Sequence, residues 1–131
     1  MNIALLASDN KKKLMQNFCA AYSTILSKHT LYSTDTTGTQ IERVTNLRIH
    51  KLLSGGLGGE KQMCAQIAND EIDIVIFLRD PDSSESLRKH AEIMSECDEH
   101  LVPLATNLAT AEMLIQGLDR GDLEWRLLFK S

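Results

Sequence analysis

Residues 72–78 read IDIVIFL, an almost continuous apolar run that Asp73 alone interrupts. Strands that helices cover on both faces, as in parallel sheets, have this composition. Residues 2–7, NIALLA, form a second run of the same kind. Three shorter strand candidates lie at residues 30–33, 48–53 and 101–105. The sequence therefore predicts a five-stranded sheet.

Stretches with helical periodicity separate these strands. Leu14, Phe18, Tyr22 and Ile25 recur at spacings that place them on one face of a helix. Four further helices are predicted from apolar positions: Ile41, Val44 and Leu47; Met63 and Ile67; Ile93; and Ala111, Leu114 and Ile115 in a helix that begins near Asn107. The alternation predicts right-handed crossovers and an α/β fold, a three-layer αβα sandwich with a doubly wound, mainly parallel five-stranded sheet. At this length, residues 1–131 are expected to form a single domain.

Composition and charge exclude several classes of protein. Hydrophobic residues make up 43% of the chain and charged residues 24%, which is typical of a globular domain rather than a disordered or fibrous one. The formal net charge of -4 gives no field that would attract nucleic acid or an anionic membrane surface. The apolar run at residues 1–7 is too short to cross a bilayer. We expect neither a nucleic-acid nor a membrane partner, and any anion site must be local.

The three cysteines, Cys19, Cys64 and Cys97, are odd in number and widely spaced. They form neither a disulfide framework nor a paired-cysteine zinc motif, and the pattern suits a reducing cytoplasm. Cys97 and His100 are close enough in sequence to share a metal ion, but a single pair of this kind is more often coincidental. We predict a cytoplasmic protein without a bound metal.

The expected fold indicates where a ligand would bind. In open parallel sheets, ligands bind beyond the carboxyl ends of the strands, where the chain order reverses. After the first strand, Asp9 is a candidate N-cap residue of the following helix. Three lysines at residues 11–13 then crowd the first turn, where the helix dipole disfavours cations. A phosphate bound to one lysine would relieve this repulsion; three solvated surface lysines are the alternative.

Residues 34–39, which read TDTTGT, follow the second strand. They offer four hydroxyls and several backbone N–H groups, which are the donors that phosphate oxygens prefer. A threonine-rich helix cap without a ligand is the alternative. Asp35 counts against a phosphate here unless its carboxylate points away from the hydroxyls.

Residues 54–59, which read SGGLGG, follow the third strand, and four glycines in six positions allow the backbone to approach a ligand closely. A flexible surface turn is the alternative. The block at 54–59 is not a Walker loop, because Glu60, Lys61 and Gln62 stand where a lysine and a hydroxyl residue should follow. Glu60 is expected at a helix N-terminus, where it could act as a base or simply cap the helix. Three such loops at one sheet edge predict a site for a small phosphorylated metabolite.

Five blocks of this sequence together resemble the signature blocks of the methylglyoxal synthase family. They are residues 8–12 (SDNKK), 34–38 (TDTTG), 53–60 (LSGGLGGE), 77–81 (FLRDP) and 105–110 (ATNLAT). The resemblance covers almost the whole chain and implies the doubly wound sandwich. It also implies a homohexamer that binds dihydroxyacetone phosphate, removes a proton to give an ene-diolate, and expels phosphate to leave methylglyoxal. No cofactor or metal is implied.

The resemblance also assigns roles to individual residues. The phosphate- and substrate-binding residues that it implies are Lys12, Thr34, Thr36, Thr37, Ser54, Gly55 and, in the short tail, Arg126. Glu60 stands at the position of the catalytic base, and Asp9 and Asp80 match acidic active-site positions.

The sequence departs from the family pattern at positions that carry proton transfer. The family has a histidine at the position of Ser8 and an aspartate at the position of Glu60. After the Asp80-Pro81 pair the family supplies a histidine that polarises the substrate carbonyl, and then another aspartate, whereas residues 82–86 read DSSES. His90 is the nearest imidazole, and we expect it to be an exposed helix residue. Phosphate binding is therefore expected to persist while catalysis is impaired.

Three functional hypotheses follow. The first is a slow methylglyoxal synthase, the second is a non-catalytic module that binds phosphorylated metabolites and has a regulatory role, and the third is a partner subunit of an active homologue. The matching phosphate positions argue against a purely structural role.

Overall fold

The computed structural model describes residues 1–53 and 58–128, apart from the side chain of Ser86. Five strands form one sheet: β1 (Asn2–Ala7), β2 (Thr30–Thr34), β3 (Ile49–Leu52), β4 (Ile74–Leu78) and β5 (Leu104–Ala105). Six α-helices accompany them: α1 (Lys12–Ala21), α2 (Ser23–Leu26), α3 (Asp35–Val44), α4 (Gly59–Ala68), α5 (Ser84–Glu99) and α6 (Leu108–Asp119). Short 3-10 helices span Asp9–Lys11 and Glu124–Leu128.

The strands lie in the order β3-β2-β1-β4-β5, and each neighbouring pair is parallel. The predicted three-layer αβα sandwich is confirmed, and the described sheet is entirely parallel. From β1 the chain proceeds outwards to β2 and β3, then returns to the other side of β1 to form β4 and β5. The order therefore reverses between β1 and β4, which is where open sheets of this kind bind ligands.

Alternate side chains of the two central strands supply the two cores, which explains why β1 and β4 are apolar throughout. On one face, Ile3, Leu5, Ile74 and Ile76 pack with residues of α1, α3 and α6. On the other face, Ala4, Leu6, Val75 and Phe77 pack with residues of α4 and α5. Helices α4 and α5 are thus held together on one side of the sheet.

Some element boundaries differ from the sequence-based expectation. β5 covers only two of the five residues at 101–105, because Leu101 has a positive φ of 55° and the Val102 N–H bonds to Cys97 O instead. Helix α3 ends at Val44, and Val44 is 48% exposed rather than on the buried face that was predicted. Leu47 lies beyond that helix but is nevertheless buried.

Within the described part of the chain, no helix combines the length and the apolar character that crossing a membrane requires.

Candidate active site

The carboxyl ends of β1 and β4 are joined through Ser8. Its backbone N–H donates to Leu78 O at 2.9 Å, and its side-chain Oγ accepts a hydrogen bond from the Asp80 N–H at 3.0 Å. The Asp80 carboxylate in turn accepts the N–H of Asp82 at 3.0 Å, which forms a tight turn after β4. Ser8 therefore has a structural contact that its sequence position did not reveal: it fixes the loop that carries Asp80.

Lys12, the first residue of α1, holds its ammonium group at this strand edge. Its Nζ donates to Ala7 O and to Thr37 Oγ1, both at 3.0 Å, and lies 3.7 Å from Asp9 Oδ1. The prediction that Asp9 caps this helix is wrong, because Asp9 begins a 3-10 helix and Lys11 is the N-cap residue of α1. The Asp9 side chain is exposed.

The threonines at 34–37 belong to a helix start rather than to a loop. Thr34 is the N-cap residue of α3, and helix residues begin at Asp35. Thr37 is 1% exposed, and its hydroxyl accepts from Lys12 and, at 3.5 Å, from Thr34. Thr37 therefore lies behind Lys12 and orients it. Thr36 and Asp35 are exposed, and the first N–H groups of α3 point to the same strand edge.

A cavity of about 540 Å³ opens at this edge. Six of the predicted site residues line it: Asp9, Lys12, Thr34, Thr36, Glu60 and Asp80. Thr37 is behind the lining, and Ser54 and Gly55 lie outside the described residues. The cavity lies at the ends of β1, β2 and β4, at the switch point of the sheet. Predicted donors for an anion and a predicted base thus share one cavity.

Glu60, the second residue of α4, is positioned by two glycines. Gly58 has a φ of 102°, which disfavours other residues, and a Cβ at Gly59 would lie 1.9 Å from Leu53 O. Burial raises the pKa of Glu60, and the ammonium of Lys89 partly opposes that rise. Glu60 is therefore a stronger base than an exposed glutamate.

Lys89 is a cavity residue that sequence reasoning missed. Its Nζ lies 3.8 Å from Glu60 Oε1 and 3.6 Å from Glu85 Oε1, and both α5 side chains line the cavity. The pairing of Glu85 with Lys89 at helical spacing was a signal in the sequence. The sequence did not reveal which face of α5 would point towards Glu60.

His90 does not occupy the cavity, and the expectation that it is exposed is wrong. It is 4% exposed and packs edge-on against Phe77, with ring centroids 5.4 Å apart. Burial, together with the nearby Arg79, lowers the pKa of His90. The imidazole faces the core, so it does not replace the family histidine in the cavity.

The structure does not bring Arg126 together with the other predicted site residues. Arg126 is 5% exposed; its Nε lies 3.8 Å from Asp73 Oδ1, and its Nη1 donates to Leu101 O. Asp73 precedes β4 and accepts the N–H of Asn2 at 2.8 Å, so this cluster lies at the amino ends of the strands. A five-residue strand is roughly 16 Å long, which separates Arg126 from the cavity of the same chain.

Metal-ligating side chains are grouped elsewhere in the described residues. Donor atoms of Glu96, Glu99 and His100 lie within 4.8 Å of one another near the end of α5. His100 Nδ1 lies 3.6 Å from Asp70 Oδ1, and its Nε2 lies 3.7 Å from Glu96 Oε2. Cys97 is buried in the core and does not belong to this group. The group is separate from the cavity.

A second cavity of about 300 Å³ adjoins the start of α6. It is lined by Lys11, Arg79, Thr106 and Asn107 together with apolar side chains. Asn107 is the N-cap residue of α6, and its Oδ1 accepts the Thr110 N–H at 3.1 Å. The block at 105–110 therefore forms a capped helix start at the same edge of the sheet.

The fold and the site define a parallel α/β protein with a charged cavity at the switch point of its sheet. A family model described as the MGS-like domain matches residues 15–106, which is more than half of the chain. The chain belongs to the methylglyoxal synthase family, as the resemblance predicted.

Several relatives support this placement. The methylglyoxal synthase of Caldicellulosiruptor saccharolyticus is 54% identical over 127 residues, covering 96% of this chain and 90% of the relative. That of Oceanobacillus iheyensis is 50% identical over 132 residues, covering 100% of this chain and 94% of the relative. A crystal structure of methylglyoxal synthase from Elizabethkingia anophelis superposes with a TM-score of 0.78 at 36% identity, covering 87% of this chain and 76% of that one.

Proposed function

We propose that this chain binds dihydroxyacetone phosphate in the cavity of about 540 Å³ and eliminates its phosphate to give methylglyoxal. The observation that carries the proposal is the placement of the Lys12 ammonium and the Glu60 carboxylate in one cavity at the sheet edge. The names of the relatives, which are methylglyoxal synthases, support the same reaction class, a carbon–oxygen lyase.

The phosphate is held by Lys12, the hydroxyls of Thr34 and Thr36, and the N-terminal N–H groups of α3. Charge-assisted hydrogen bonds from an ammonium to phosphate oxygens are among the stronger hydrogen bonds in proteins. Thr37 contributes by holding Lys12 in place. Ser54 and Gly55 remain predicted phosphate ligands from the neighbouring glycine-rich block.

Glu60 acts as the base that removes a proton from the carbon next to the substrate carbonyl. A base is most effective when its pKa is close to the working pH, and burial moves the pKa of Glu60 in that direction. Asp80 and Asp9 line the same cavity and complete its acidic side. No cofactor or metal is invoked in this reaction.

Turnover is expected to be slower than that of the relatives. Glu60 carries its carboxylate on an arm one methylene longer than aspartate, and a displacement near 1 Å can cost about a hundredfold in rate. Ser8 binds the Asp80 loop and supplies no imidazole. Among the described residues that line the cavity, none is a histidine. We expect substrate binding to be less affected, because Lys12, Thr34 and Thr36 all line the cavity.

The test is a direct assay of the purified full-length chain with dihydroxyacetone phosphate, following methylglyoxal and inorganic phosphate separately. We expect equal amounts of both products, at a rate about a hundredfold or more below that of the Caldicellulosiruptor saccharolyticus enzyme assayed in parallel. Absence of methylglyoxal above the buffer control at high enzyme concentration contradicts the proposal.

A second candidate is a non-catalytic binder of phosphorylated metabolites, either regulatory or a partner subunit of an active homologue. The absence of a histidine from the described cavity lining favours it. Saturable binding of dihydroxyacetone phosphate without either product supports the binder. Activity that appears only after mixing with an active homologue supports the partner subunit.

We also propose a homohexamer located in the cytoplasm. Exposed Trp125, Leu127 and Leu128 in the tail offer apolar surface for assembly, and the three cysteines are free thiols, which suits a reducing compartment. Light scattering coupled to size-exclusion chromatography is expected to give about six times the 14.6 kDa chain mass. A monomer at micromolar concentration contradicts the assembly.

A further inference from the structure

Lys89 is a cation of the cavity that the family pattern leaves without a role. We propose that Lys89 is the electrophilic donor of this site, whose ammonium hydrogen-bonds the substrate carbonyl oxygen and stabilises the negative charge that forms there. The inference rests on the proposed function, because it assigns a residue to the same reaction. The role follows from the packing of α4 and α5, which places Lys89 beside Glu60. The residues next to Lys89 in the sequence do not indicate it.

Packing between α4 and α5 fixes Lys89 relative to Glu60. Met63 and Ile67 of α4 share a core with Ile93 of α5 on one face of the sheet. Successive helical residues diverge by about 100°, so when His90 turns into the core, Lys89 points in a different direction. That direction is the cavity, where its Nζ lies 3.8 Å from Glu60 Oε1.

The two cations that line the described part of the cavity are held in different ways. Lys12 is bound by Ala7 O and Thr37 Oγ1 and lies beside the threonine hydroxyls, so it serves the phosphate end. Both cations have a carboxylate at ion-pair distance, Asp9 for Lys12 and Glu60 and Glu85 for Lys89. The Lys89 side chain is 39% exposed. An ammonium has three donors, so Lys89 can keep Glu60 as a neighbour while donating to a substrate oxygen.

The proposed reaction begins at the hydroxymethyl carbon of the substrate. Glu60 takes a proton from the hydroxymethyl carbon; the C–H electron pair forms a C=C bond, and the carbonyl pair moves to oxygen beside the Lys89 ammonium. The hydroxyl then gives its proton to the departing phosphate and becomes an aldehyde, while the C=C bond shifts towards the methylene carbon and the C–O bond to phosphate breaks. The oxygen beside Lys89 re-forms its C=O bond as the methylene carbon takes up the proton that Glu60 holds, which gives methylglyoxal and inorganic phosphate. A fixed cation is most useful at the first step, when charge develops on oxygen.

Lys89 also tunes the base. The pKa of Glu60 is raised by burial and by Glu92 and Glu85, and lowered by Lys89 and Lys12. Removal of the Lys89 charge must therefore raise the pKa of Glu60 further. Because the base works only when deprotonated, the acid limb of the pH–rate profile must move to higher pH in such a variant.

The experiment compares K89Q and K89R with K61Q in the full-length protein. Lys61 is exposed, is adjacent to Glu60 in sequence and is outside the described cavity lining, so K61Q matches the change in net charge. For K89Q we expect kcat about a hundredfold to a thousandfold lower, with the acid limb of kcat/KM at higher pH. K89R should retain more activity than K89Q, and K61Q should stay within about threefold of the parent.

Binding provides a readout that does not need turnover. Phosphoglycolate carries a carboxylate at the place of the substrate carbonyl oxygen, on which negative charge develops. Inorganic phosphate tests only the phosphate-binding residues around Lys12. For K89Q, calorimetry should show phosphoglycolate weakened by about tenfold to a hundredfold and inorganic phosphate by less than about threefold. Equal weakening of both ligands, or unchanged phosphoglycolate affinity, overturns the role of Lys89. If the parent shows no turnover but K89Q still loses phosphoglycolate affinity relative to inorganic phosphate, the proposed elimination is contradicted. The contact of Lys89 with the ligand is then retained.

Discussion

At the carboxyl end of the sheet, Lys12 and Glu60 line an open cavity, whereas at the amino end Asp73 and Arg126 are buried against each other. Both ends combine a cation with a carboxylate. At the amino end the two opposite charges lie 3.8 Å apart and both side chains are buried, so they compensate one another. At the carboxyl end, Lys12 donates to neutral oxygens of Ala7 and Thr37, and its one carboxylate neighbour in the described residues, Asp9, is 3.7 Å away and exposed, so its charge is better placed to bind an anion. Whether a charged side chain can bind a ligand thus depends on which groups already neutralise it.

The Glu60→Gln substitution should cause the largest loss of activity at the carboxyl end of the sheet. It removes the proposed base and keeps the size of the side chain, so methylglyoxal formation should fall by about a hundredfold to ten-thousandfold. The assay is steady-state product formation from dihydroxyacetone phosphate. Glu85→Gln is the matched control, since Glu85 lines the same cavity but is mostly exposed. Equal losses in both variants would show that Glu60 has no special role.

The Arg126→Met substitution removes the buried pair of Arg126 and Asp73 at the amino end of the sheet. It removes the guanidinium that lies beside the buried Asp73 carboxylate, and removal of one partner of a buried pair typically costs about 3–5 kcal/mol of the free energy of unfolding. Urea denaturation measures the loss. The double variant D73N/R126M removes both charges and is expected to recover at least half of it. Unchanged stability of R126M would mean that the pair contributes little, and loss of phosphate binding in folded R126M would mean that Arg126 serves a cavity.

The Thr37→Val substitution tests whether the Thr37 hydroxyl holds Lys12 in position. Without the Thr37 hydroxyl the ammonium loses one of its two close acceptors, and inorganic phosphate should bind about five- to tenfold more weakly. Titration calorimetry provides the measurement. Thr45→Val is the control, because Thr45 loses a hydrogen bond to Ile41 O at the opposite end of α3. If T37V binds inorganic phosphate as tightly as the parent, the Thr37 hydroxyl does not hold Lys12 in a phosphate-binding position.

The Asp35→Asn substitution should have the smallest effect. Asp35 is exposed in the first turn of α3, so solvent screens its repulsion of a bound phosphate. We expect phosphate affinity to rise by about twofold at low salt and less at 0.5 M salt. Asp119→Asn changes the net charge equally but lies in an ion pair with Lys28. An increase of tenfold would place the Asp35 carboxylate against the ligand.

Much of the fold could be predicted because its signals are local. The apolar runs at 2–7 and 72–78 have the composition of strands that helices cover on both faces. The observed β1 has the predicted bounds, and β4 begins at Ile74, two residues later than predicted. The shorter β5 was harder, because a backbone turn at Leu101 ends the pairing early. The cavity was located by the rule that parallel strands end at one edge, and it contains six of the predicted residues.

Positions set by helix rotation and by tail docking could not be predicted. His90 and Lys89 are neighbours in sequence, yet one packs against Phe77 and the other lies beside Glu60. Arg126 matched the family by its place in the tail, but its side chain docks on Asp73. Neither result follows from residue type, since both depend on which surfaces meet when the layers assemble.

The residue pattern was sufficient to specify the parallel sandwich, the edge at which Lys12, Thr34 and Glu60 would meet, and the family. Hydrophobic periodicity and strand direction fix the sandwich and its edge, because they act within each segment and repeat along the chain, whereas the family followed from the resemblance of five sequence blocks. The partner of each charged group was settled later, when packing of α5 and of the tail brought distant residues within a few ångströms. Electrostatic interactions depend steeply on distance and burial, so they can be assigned only after the segments have packed.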